Sequence, residues 1–314
     1  MALDHVNVYV IDEGDSWTII DTGFWSKKTQ SIWSEIKEKW FSDKPIGIVI
    51  VTHHHPDHVG LAGWFQTEFK AELWMSRTAW LMARMLRLDY QKLPTEETIN
   101  FWRRAGMDDQ ILNERATGKP FNFGDSVHEM PLGFRRIIDG EKIILGNRSW
   151  IVRVGNGHAP EHLTLWCEDE PIVIAGDQII SSISPNLGVY ATEPEADPVQ
   201  EWLMSCEAFL PFSNDKQLVL PGHKLPFYGL PHRLKQLIEN HHSALKRLVA
   251  FLKEPQTAVD CFPVLFNRKI SDNEYGLALV EAVAHLNHLY RKKIVKRELN
   301  SKGAYVYTLK IDKK

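Results

Sequence analysis

The residues with the clearest chemical potential lie in one short segment, residues 52–58, which reads THHHPDH. Four of the chain's 14 histidines and one aspartate fall within six consecutive positions of this segment. Imidazole nitrogens and carboxylate oxygens are the usual ligands of zinc and similar divalent metals. His53 and His55 can point the same way from an extended backbone, whereas Asp57 and His58 can face a second point. The segment therefore predicts metal ligands.

Three further metal-capable residues also come directly after apolar runs and glycines. They are His158 after residues 150–154, Asp177 after residues 172–175 and His223 after residues 217–220. The segment 52–58 likewise follows the apolar run IGIVIV. Open α/β sheets place their sites at the ends of strands. One histidine or aspartate in a turn is usually only a turn residue, but four such positions in order predict one shared site.

The chain around these residues has the pattern of a layered α/β domain. Apolar, β-branched runs alternate with segments of helical periodicity as far as about residue 250. The predicted strands span residues 6–11, 17–20, 46–51, 72–75, 142–145, 150–154, 163–167, 172–175 and 217–220, and the predicted helices residues 26–40, 59–69, 198–210 and 230–252. Residues 76–135, rich in Leu, Met, Arg and aromatic residues, are interpreted as a helical insert. The insert could cover the site or serve only for packing.

The character of the sequence changes after Pro255. Residues 255–314 carry 11 Lys/Arg against 6 Asp/Glu, although the whole chain has a net charge of −3. A helix over 274–290 and two strands over 294–298 and 304–309 are predicted there, which is the pattern of a winged helix. The sequence thus predicts a catalytic domain over residues 1–253 and a winged-helix-like domain over residues 254–314.

Composition excludes several classes of protein. With 44% hydrophobic and 25% charged residues the chain is typical of a globular protein, and its three cysteines have no CxxC spacing that would indicate a thiolate metal site. The first 25 residues lack the basic and apolar parts of a secretory signal, and no apolar run approaches 20 residues. We therefore expect no membrane segment and a cytoplasmic location.

The HxHxDH element, followed by a distant His, Asp and His at strand ends, resembles the metallo-β-lactamase superfamily of hydrolases. The resemblance covers about residues 6–250 and implies an α/β fold, a four-layered αβ/βα sandwich with mixed sheets. It implies two metal ions, the first bound by His53, His55 and His158, the second by Asp57, His58 and His223, with Asp177 bridging both. It also implies that Asp21 and His162 support these ligands from behind.

The remaining histidines are given other roles. His54 points away from the site in this family pattern. His241, His242, His285 and His288 lie on predicted helices, where we expect surface or domain contacts.

The resemblance further implies a hydrolytic reaction. Two divalent ions, zinc before manganese or iron, would make hydroxide available at neutral pH. Asp177, with no cysteine nearby, favours the glyoxalase-II-like branch of thioesterases, lactonases and esterases over β-lactamases. The expected reaction is attack of metal-bound hydroxide on a thioester, ester or lactone carbonyl of a small molecule. Asp57 and Asp177 are the expected catalytic residues, since Asp57 could also accept a proton.

Two alternatives stay open on the sequence. Some enzymes of this superfamily with a similar tail cleave RNA, and the tail has a basic cluster of Arg291, Lys292, Lys293, Lys296 and Arg297. Nucleic acid is less favoured because the whole chain is acidic and the tail shows no aromatic platform for stacking bases. A metal-binding sensor with little turnover is the other alternative, and the complete ligand set argues against it. The tail could also form a homodimer.

Overall fold

Two five-stranded mixed sheets form the centre of the protein, as seen in a computed structural model that describes residues 5–41 and 44–310. The first sheet contains, in spatial order, β1 (Tyr9–Asp12), β2 (Trp17–Ile20), β3 (Ile46–Ile50), β4 (Glu72–Met75) and β5 (Arg135–Arg136). The second contains β6 (Lys142–Leu145), β7 (Arg148–Gly155), β8 (His162–Cys167), β9 (Ile172–Gly176) and β10 (Leu218–Pro221), running spatially from β10 to β6. The sheets face each other across a core that includes Ile50, Trp74 and Leu165.

Helices cover the outer face of each sheet. They are α1 (Lys27–Ile36), α2 (Pro56–Val59), α3 (Ala62–Phe69), α4 (Arg77–Leu88), α5 (Glu96–Arg104), α6 (Asp109–Thr117), α7 (Pro198–Phe209), α8 (Leu230–Phe251), α9 (Phe262–Phe266) and α10 (Tyr275–Arg291). Trp33 of α1 and Phe65 of α3 pack on the first sheet, whereas Trp202 of α7 and Leu237 of α8 pack on the second. The order helix, sheet, sheet, helix confirms the predicted four-layered sandwich.

The helical insert is confirmed, since α4, α5 and α6 all fall within residues 76–135. The predicted helix over 59–69 is wrong in one respect, because it divides into α2 and α3 at Gly60 and Leu61. A Cβ atom at Gly60 would lie 2.4 Å from the carbonyl oxygen of Gly23, so only glycine fits at this position. The predicted helix over 26–40 ends at Ile36 and continues as a wider π-helical turn.

The C-terminal segment packs directly on the second sheet's helices. After α10 it forms an antiparallel ribbon of β11 (Val295–Leu299) and β12 (Tyr305–Leu309), as predicted. Leu286 of α10 and Tyr307 of β12 belong to the same core cluster as Trp202 and Leu237. This segment is therefore part of the layer that backs the second sheet. Among the described residues, no helix combines the length and the apolar character needed to cross a membrane.

Candidate metal centre

The predicted site residues meet at one edge of the two sheets. β2 and β3 run parallel, as do β9 and β10, so their carboxyl ends lie side by side. The backbone N–H of Leu163, in the second sheet, donates to the carbonyl of Thr52, which follows the first sheet's β3, over 2.8 Å. This bond closes the gap between the sheets at that edge. The loops after five different strands can therefore reach a common point.

The structure brings all seven predicted ligands together. They form three overlapping groups, and within each group the potential ligand atoms lie within 4.8 Å of one another. The groups are His53, His55 and His158; His53, His58 and Asp177; and Asp57, His58 and His223. The first and third groups coincide with the two ligand sets that the resemblance implies. These histidines and aspartates are thus candidates for binding a metal.

Asp177 lies between the first and third groups. Its Oδ2 atom is 3.5 Å from Nε2 of His158 and 3.3 Å from Nε2 of His223, while its Oδ1 atom is 3.5 Å from Nε2 of His58. Asp57 contacts the third group alone, with its Oδ2 atom 3.1 Å from Nε2 of His223 and 3.8 Å from Nε2 of His58. One carboxylate is therefore shared between the groups and the other belongs to one of them.

The outer ring nitrogens of three of these histidines are held by fixed acceptors. Nδ1 of His58 donates to the Asp21 carboxylate at 2.8 Å, Nδ1 of His158 to the Asn186 carbonyl at 2.9 Å, and Nδ1 of His223 to the His5 carbonyl at 2.6 Å. A carbonyl only accepts, so in the neutral ring the proton stays on Nδ1 and Nε2 keeps its lone pair. Bonds of this kind fix the orientation of metal-binding histidines.

The inner atoms fit a divalent cation. Nε2 of these three histidines and Oδ1 of Asp177 are buried and, among the described residues, make no hydrogen bond of acceptable geometry, although Nε2 of His223 lies near both carboxylates. Buried polar atoms without a partner are rare because the lost hydration is costly. Here they converge on one space, and their types are those that zinc and related ions prefer.

The charges of the cluster are also suited to a cation. Burial, and then the neighbouring histidines, hold the pKa of His53 and of His55 well below the ordinary value, so both rings are neutral. Burial alone would raise the pKa of Asp177, but His58 and His223 hold it well below its usual range. Metal binding requires neutral imidazoles and ionised carboxylates. Burial would lower the pKa of His58 and of His223, but Asp177 and the neighbouring carboxylates raise it, that of His223 to about 9, so these two rings must release a proton when a cation binds.

Two buried residues behind the cluster hold its members in place. Asp21 accepts hydrogen bonds from the backbone N–H and the hydroxyl of Thr52 as well as from His58. Its φ of 61° is in the left-handed region, a cost of about 1–3 kcal/mol that these bonds must offset. His162 stacks on His53 with ring centroids 4.5 Å apart, and its Nε2 accepts from the Asp177 backbone N–H at 3.1 Å. Neither residue is in a candidate ligand group.

Close packing at the edge requires one particular glycine. A Cβ atom on Gly222 would lie 2.2 Å from Oδ1 of Asp177 and 2.7 Å from Cε1 of His58. The loop that carries His223 approaches the shared carboxylate because this position has no side chain. The glycine noted before His223 in the sequence is therefore a requirement of the site.

Several supporting groups were not predicted from the sequence. The acceptors for His158 and His223 are backbone carbonyls, those of Asn186 and His5, and a carbonyl has no residue-type signal. Asn7 fixes the His223 loop, because its amide donates to the carbonyls of Pro221 and Lys224 at 2.9 and 2.7 Å. Asn7 lies outside β1, because the strand predicted over 6–11 spans Tyr9–Asp12 in the structure.

The helical insert is anchored beside the site rather than within the cluster. Phe123 stacks on His54, with ring centroids 6.2 Å apart, and His54 is in none of the candidate groups of the described residues. The carboxylate of Glu161 accepts from the backbone N–H of Thr78 at 2.7 Å in the first turn of α4. Phe101 of α5 instead lines a separate cavity of about 280 Å³ against the C-terminal segment.

Comparison with known proteins decides the family. A family model described as "Metallo-beta-lactamase superfamily" matches residues 1–223, well over half of the chain. The chain belongs to the metallo-β-lactamase superfamily. A second model, described as "Metallo-beta-lactamase-like, C-terminal domain", matches residues 245–310 of this superfamily member.

Solved structures resemble this superfamily member over nearly its whole length. A β-lactamase domain protein from Burkholderia ambifaria is 31% identical with a TM-score of 0.89, and the match covers 99% of this chain and 90% of that one. A metallo-β-lactamase family protein from Thermus thermophilus shares the fold, with 24% identity, a TM-score of 0.79 and coverage of 97% and 94%. Among curated proteins, "Probable metallo-hydrolase YqjP" from Bacillus subtilis (strain 168) is 23% identical over 98% of this chain and 95% of that protein. The chain is a metal-dependent hydrolase of this superfamily.

Proposed function

We propose that the protein is a binuclear hydrolase of small-molecule thioesters, esters or lactones. The observation that carries the proposal is the position of Asp177, whose two oxygens contact histidines of both ligand groups. A carboxylate shared in this way is what two neighbouring cations need, since it offsets charge on both sides. His53, His55 and His158 would hold one cation, and Asp57, His58 and His223 the other.

The chain's own residues would position the nucleophilic water and accept its proton. When bound, the two cations would supply Lewis acidity and an activated water. His162 and Asp21 keep Asp177 and His58 in place, so the site is preorganised. Asp57 is suited to accept the proton, because its side chain is 18% exposed against 6% for Asp177 and therefore reaches solvent more easily. Burial would raise the pKa of Asp57, but His58 and His223 hold it below its ordinary value, so the carboxylate is ionised at neutral pH.

The substrate class rests on the ligand set. The position of Asp177 resembles the glyoxalase-II-like branch, whose members act on acyl compounds, rather than the β-lactamases. The three cysteines are free and none is in a candidate group of the described residues. Zinc is the first choice of metal, with manganese and iron next, because the donors are nitrogen and oxygen atoms.

RNA cleavage has less support than ester chemistry. Arg297 pairs with the Glu195 carboxylate at 2.9 Å, and its side chain is only 12% exposed. Arg291 donates to the Glu195 carbonyl at 2.8 Å. The Arg297 guanidinium also packs against the rings of Tyr290 and Tyr305, at 4.4 and 4.3 Å from their centroids, so these rings are engaged within the segment. Two of the five basic residues thus hold the C-terminal segment in place instead of facing a phosphate backbone.

The test combines metal analysis with a substrate panel. We expect about two zinc ions per chain by elemental analysis, and zinc-dependent hydrolysis of an acyl-thioester, an aryl ester or a lactone. His55→Ala should lower activity more than about 100-fold, since loss of a supporting residue alone costs about 10–100-fold. His54→Ala is the matched control, because it removes the neighbouring histidine and leaves the ligand groups intact.

Three results would contradict the proposal. One zinc per chain in fully active protein would exclude the binuclear mechanism. Near-normal turnover by His55→Ala would exclude the ligand assignment. Metal-dependent cleavage of single-stranded RNA without ester, thioester or lactone activity would replace the acyl substrate with a phosphodiester.

A further inference from the structure

We propose that Asn186 and Glu281 are positioning residues through which the C-terminal segment holds His158 and strengthens metal binding by its ligand group. The inference rests on the proposed function, because it takes His158 as a metal ligand. It assigns a part in the metal centre to α10, a helix that contributes no ligand to the candidate groups of the described residues.

A continuous series of hydrogen bonds connects the ring to the helix. Nδ1 of His158 donates to the Asn186 carbonyl at 2.9 Å. The side-chain amide of Asn186 donates to Oε2 of Glu281 at 2.7 Å and to the Leu277 carbonyl at 3.2 Å. Both acceptors are on the first turns of α10. The backbone carbonyl of Asn186 orients His158, and the side chain of the same Asn186 binds it to α10.

His158 is supported differently from the other two ligands described above. His58 is held by Asp21, which follows a strand of the first sheet, and His223 by the carbonyl of His5. The acceptor for His158 is in the connection between β9 and α7, a long segment without helix or strand. Such a segment needs external contacts to keep a carbonyl fixed.

The same connection is attached to α10 at several further points, among them the bond from Arg291 to the Glu195 carbonyl. The backbone N–H of Val189 donates to the Val280 carbonyl at 3.1 Å. The amide of Asn287, which is 1% exposed, donates to the carbonyls of Pro194 and Ala196 at 2.9 and 3.0 Å. α10 itself is buried over most of its length, so it is a rigid support. Asn186 provides the attachment at the His158 end, and Asn287 the attachment at the far end.

The acceptor oxygen matters more than the charge of Glu281. Burial raises the pKa of Glu281 to about 7, so both protonation states are accessible near neutral pH. A carboxylate and a carboxylic acid can each accept the bond from Asn186. Glutamine also offers a carbonyl oxygen at the same place. Glu281→Gln should therefore preserve the support and Glu281→Ala should remove it.

The experiment measures zinc affinity with the full-length protein. The metal is removed with a chelator, and Zn²⁺ is titrated back in competition with a fluorescent chelator. We expect Asn186→Ala and Glu281→Ala to weaken one of the two zinc-binding steps by roughly 10-fold or more, with the other step unchanged. Glu281→Gln should bind within about 3-fold of wild type. Absorption spectra of the cobalt-loaded forms should show altered d–d bands only in the two alanine variants.

Asn287→Ala is the matched control. It removes another asparagine amide that links α10 to the connection, but at the end that does not hold His158. It should lower the melting temperature of the metal-free protein while both zinc affinities stay at wild-type values.

Each outcome decides the inference. Wild-type affinities in Asn186→Ala and Glu281→Ala would overturn it, as would an equal loss in Asn287→Ala, which would mean general loosening of the connection. If Asn186→Ala does not fold, the comparison of Glu281→Ala with Glu281→Gln decides alone. Binding of a single zinc ion by wild type would contradict the binuclear proposal instead, and the same variants would still show whether that ion depends on Asn186.

Discussion

Two groups of buried histidines in this chain are built in different ways. The edge cluster consists of the five histidines and two aspartates of the candidate ligand groups. The helix cluster consists of His241, His285 and His288, between α8 and α10. Both are almost fully removed from solvent, yet only the edge cluster has the properties of a metal site.

The helix cluster satisfies most of its own hydrogen bonds. Nδ1 of His285 donates to the Glu281 carbonyl at 2.9 Å, which leaves Nε2 to accept from Nδ1 of His241 at 3.2 Å. Nδ1 of His288 lies 3.0 Å from the Asp197 carboxylate. Most nitrogens in this cluster therefore contact another ring, a backbone carbonyl or an acid, and among the described residues Nε2 of His241 is buried without a partner. The sequence-based expectation was a surface position or a domain contact, and these three histidines are buried between helices and are not on the surface.

The comparison shows that convergence and carboxylates, rather than histidine number, distinguish a metal site. In the edge cluster, Nδ1 of His58, His158 and His223 binds a fixed acceptor and Nε2 of each faces a common space, while Nε2 of His53 lies 3.0 Å from Nδ1 of His55. Two carboxylates add the negative charge that offsets a cation. In the helix cluster a carboxylate contacts only His288, and its three histidines are in no candidate metal group of the described residues.

Filling the space at Gly222 should break the edge cluster most severely. In Gly222→Ala the new Cβ would displace the Asp177 carboxylate and His58, since both are closer than van der Waals contact allows. We expect activity to fall more than about 100-fold, because misplacement of catalytic groups by about 1 Å is sufficient for that loss. Zinc content should fall in parallel.

Gly133→Ala is the control for this substitution. A Cβ at Gly133 meets no atom within 4 Å, so activity and zinc content should stay at wild-type levels. Full activity in Gly222→Ala would show that Asp177 can move without loss, and that its shared position is not required.

Removing the charge behind His58 should have the next largest effect. In Asp21→Asn an amide NH₂ can face Nδ1 of His58, which favours the tautomer with the proton on Nε2. The lone pair aimed at the cluster is then lost. We expect activity and zinc affinity to fall about 10–100-fold. An unchanged zinc affinity in a titration would contradict a supporting role for Asp21.

The helix cluster should respond to pH and leave activity intact. Burial lowers the pKa of His241 to about 3 and that of His285 to about 4. Below about pH 6.5 the unfolded chain binds protons at these residues and the folded chain does not, so stability decreases as the pH falls. Each histidine should contribute about 1.4 kcal/mol per pH unit to this decrease.

His241→Asn tests this contribution. Its amide can still donate to His285, but it does not titrate, so the free energy of unfolding should depend less steeply on pH between 6 and 5. Urea unfolding at several pH values measures the slope. His242→Asn, at the exposed neighbouring position, is the control and should keep the wild-type slope. Equal slopes in wild type and His241→Asn would mean that His241 is protonated in the folded protein.

Much of the fold was predictable because local patterns determine local elements. The apolar run that ends before Thr52 is β3, and the residues 72–75 and 142–145 are strands with the predicted bounds. The errors have physical causes in the tertiary structure. The helix over 59–69 is divided at Leu61, whose backbone leaves the helical conformation, and the neighbouring Gly60 packs against the backbone at Gly23, a contact that no local pattern reveals.

The sequence by itself determined which residues could bind metal, since residue type and position after a strand are local properties. It also determined the family, because the HxHxDH spacing and the later strand ends are specific. The family resemblance also implied the supporting residues Asp21 and His162, but only the tertiary structure decided what else holds the ligands in place. The carbonyls of His5 and Asn186 orient His223 and His158, and a carbonyl's role depends on where the chain lies, not on the residue that carries it. The hydrogen bond from Asn186 to Glu281 joins positions 95 residues apart. Local sequence patterns do not reveal a contact over such a separation, because only the packing of the folded chain brings the two side chains together.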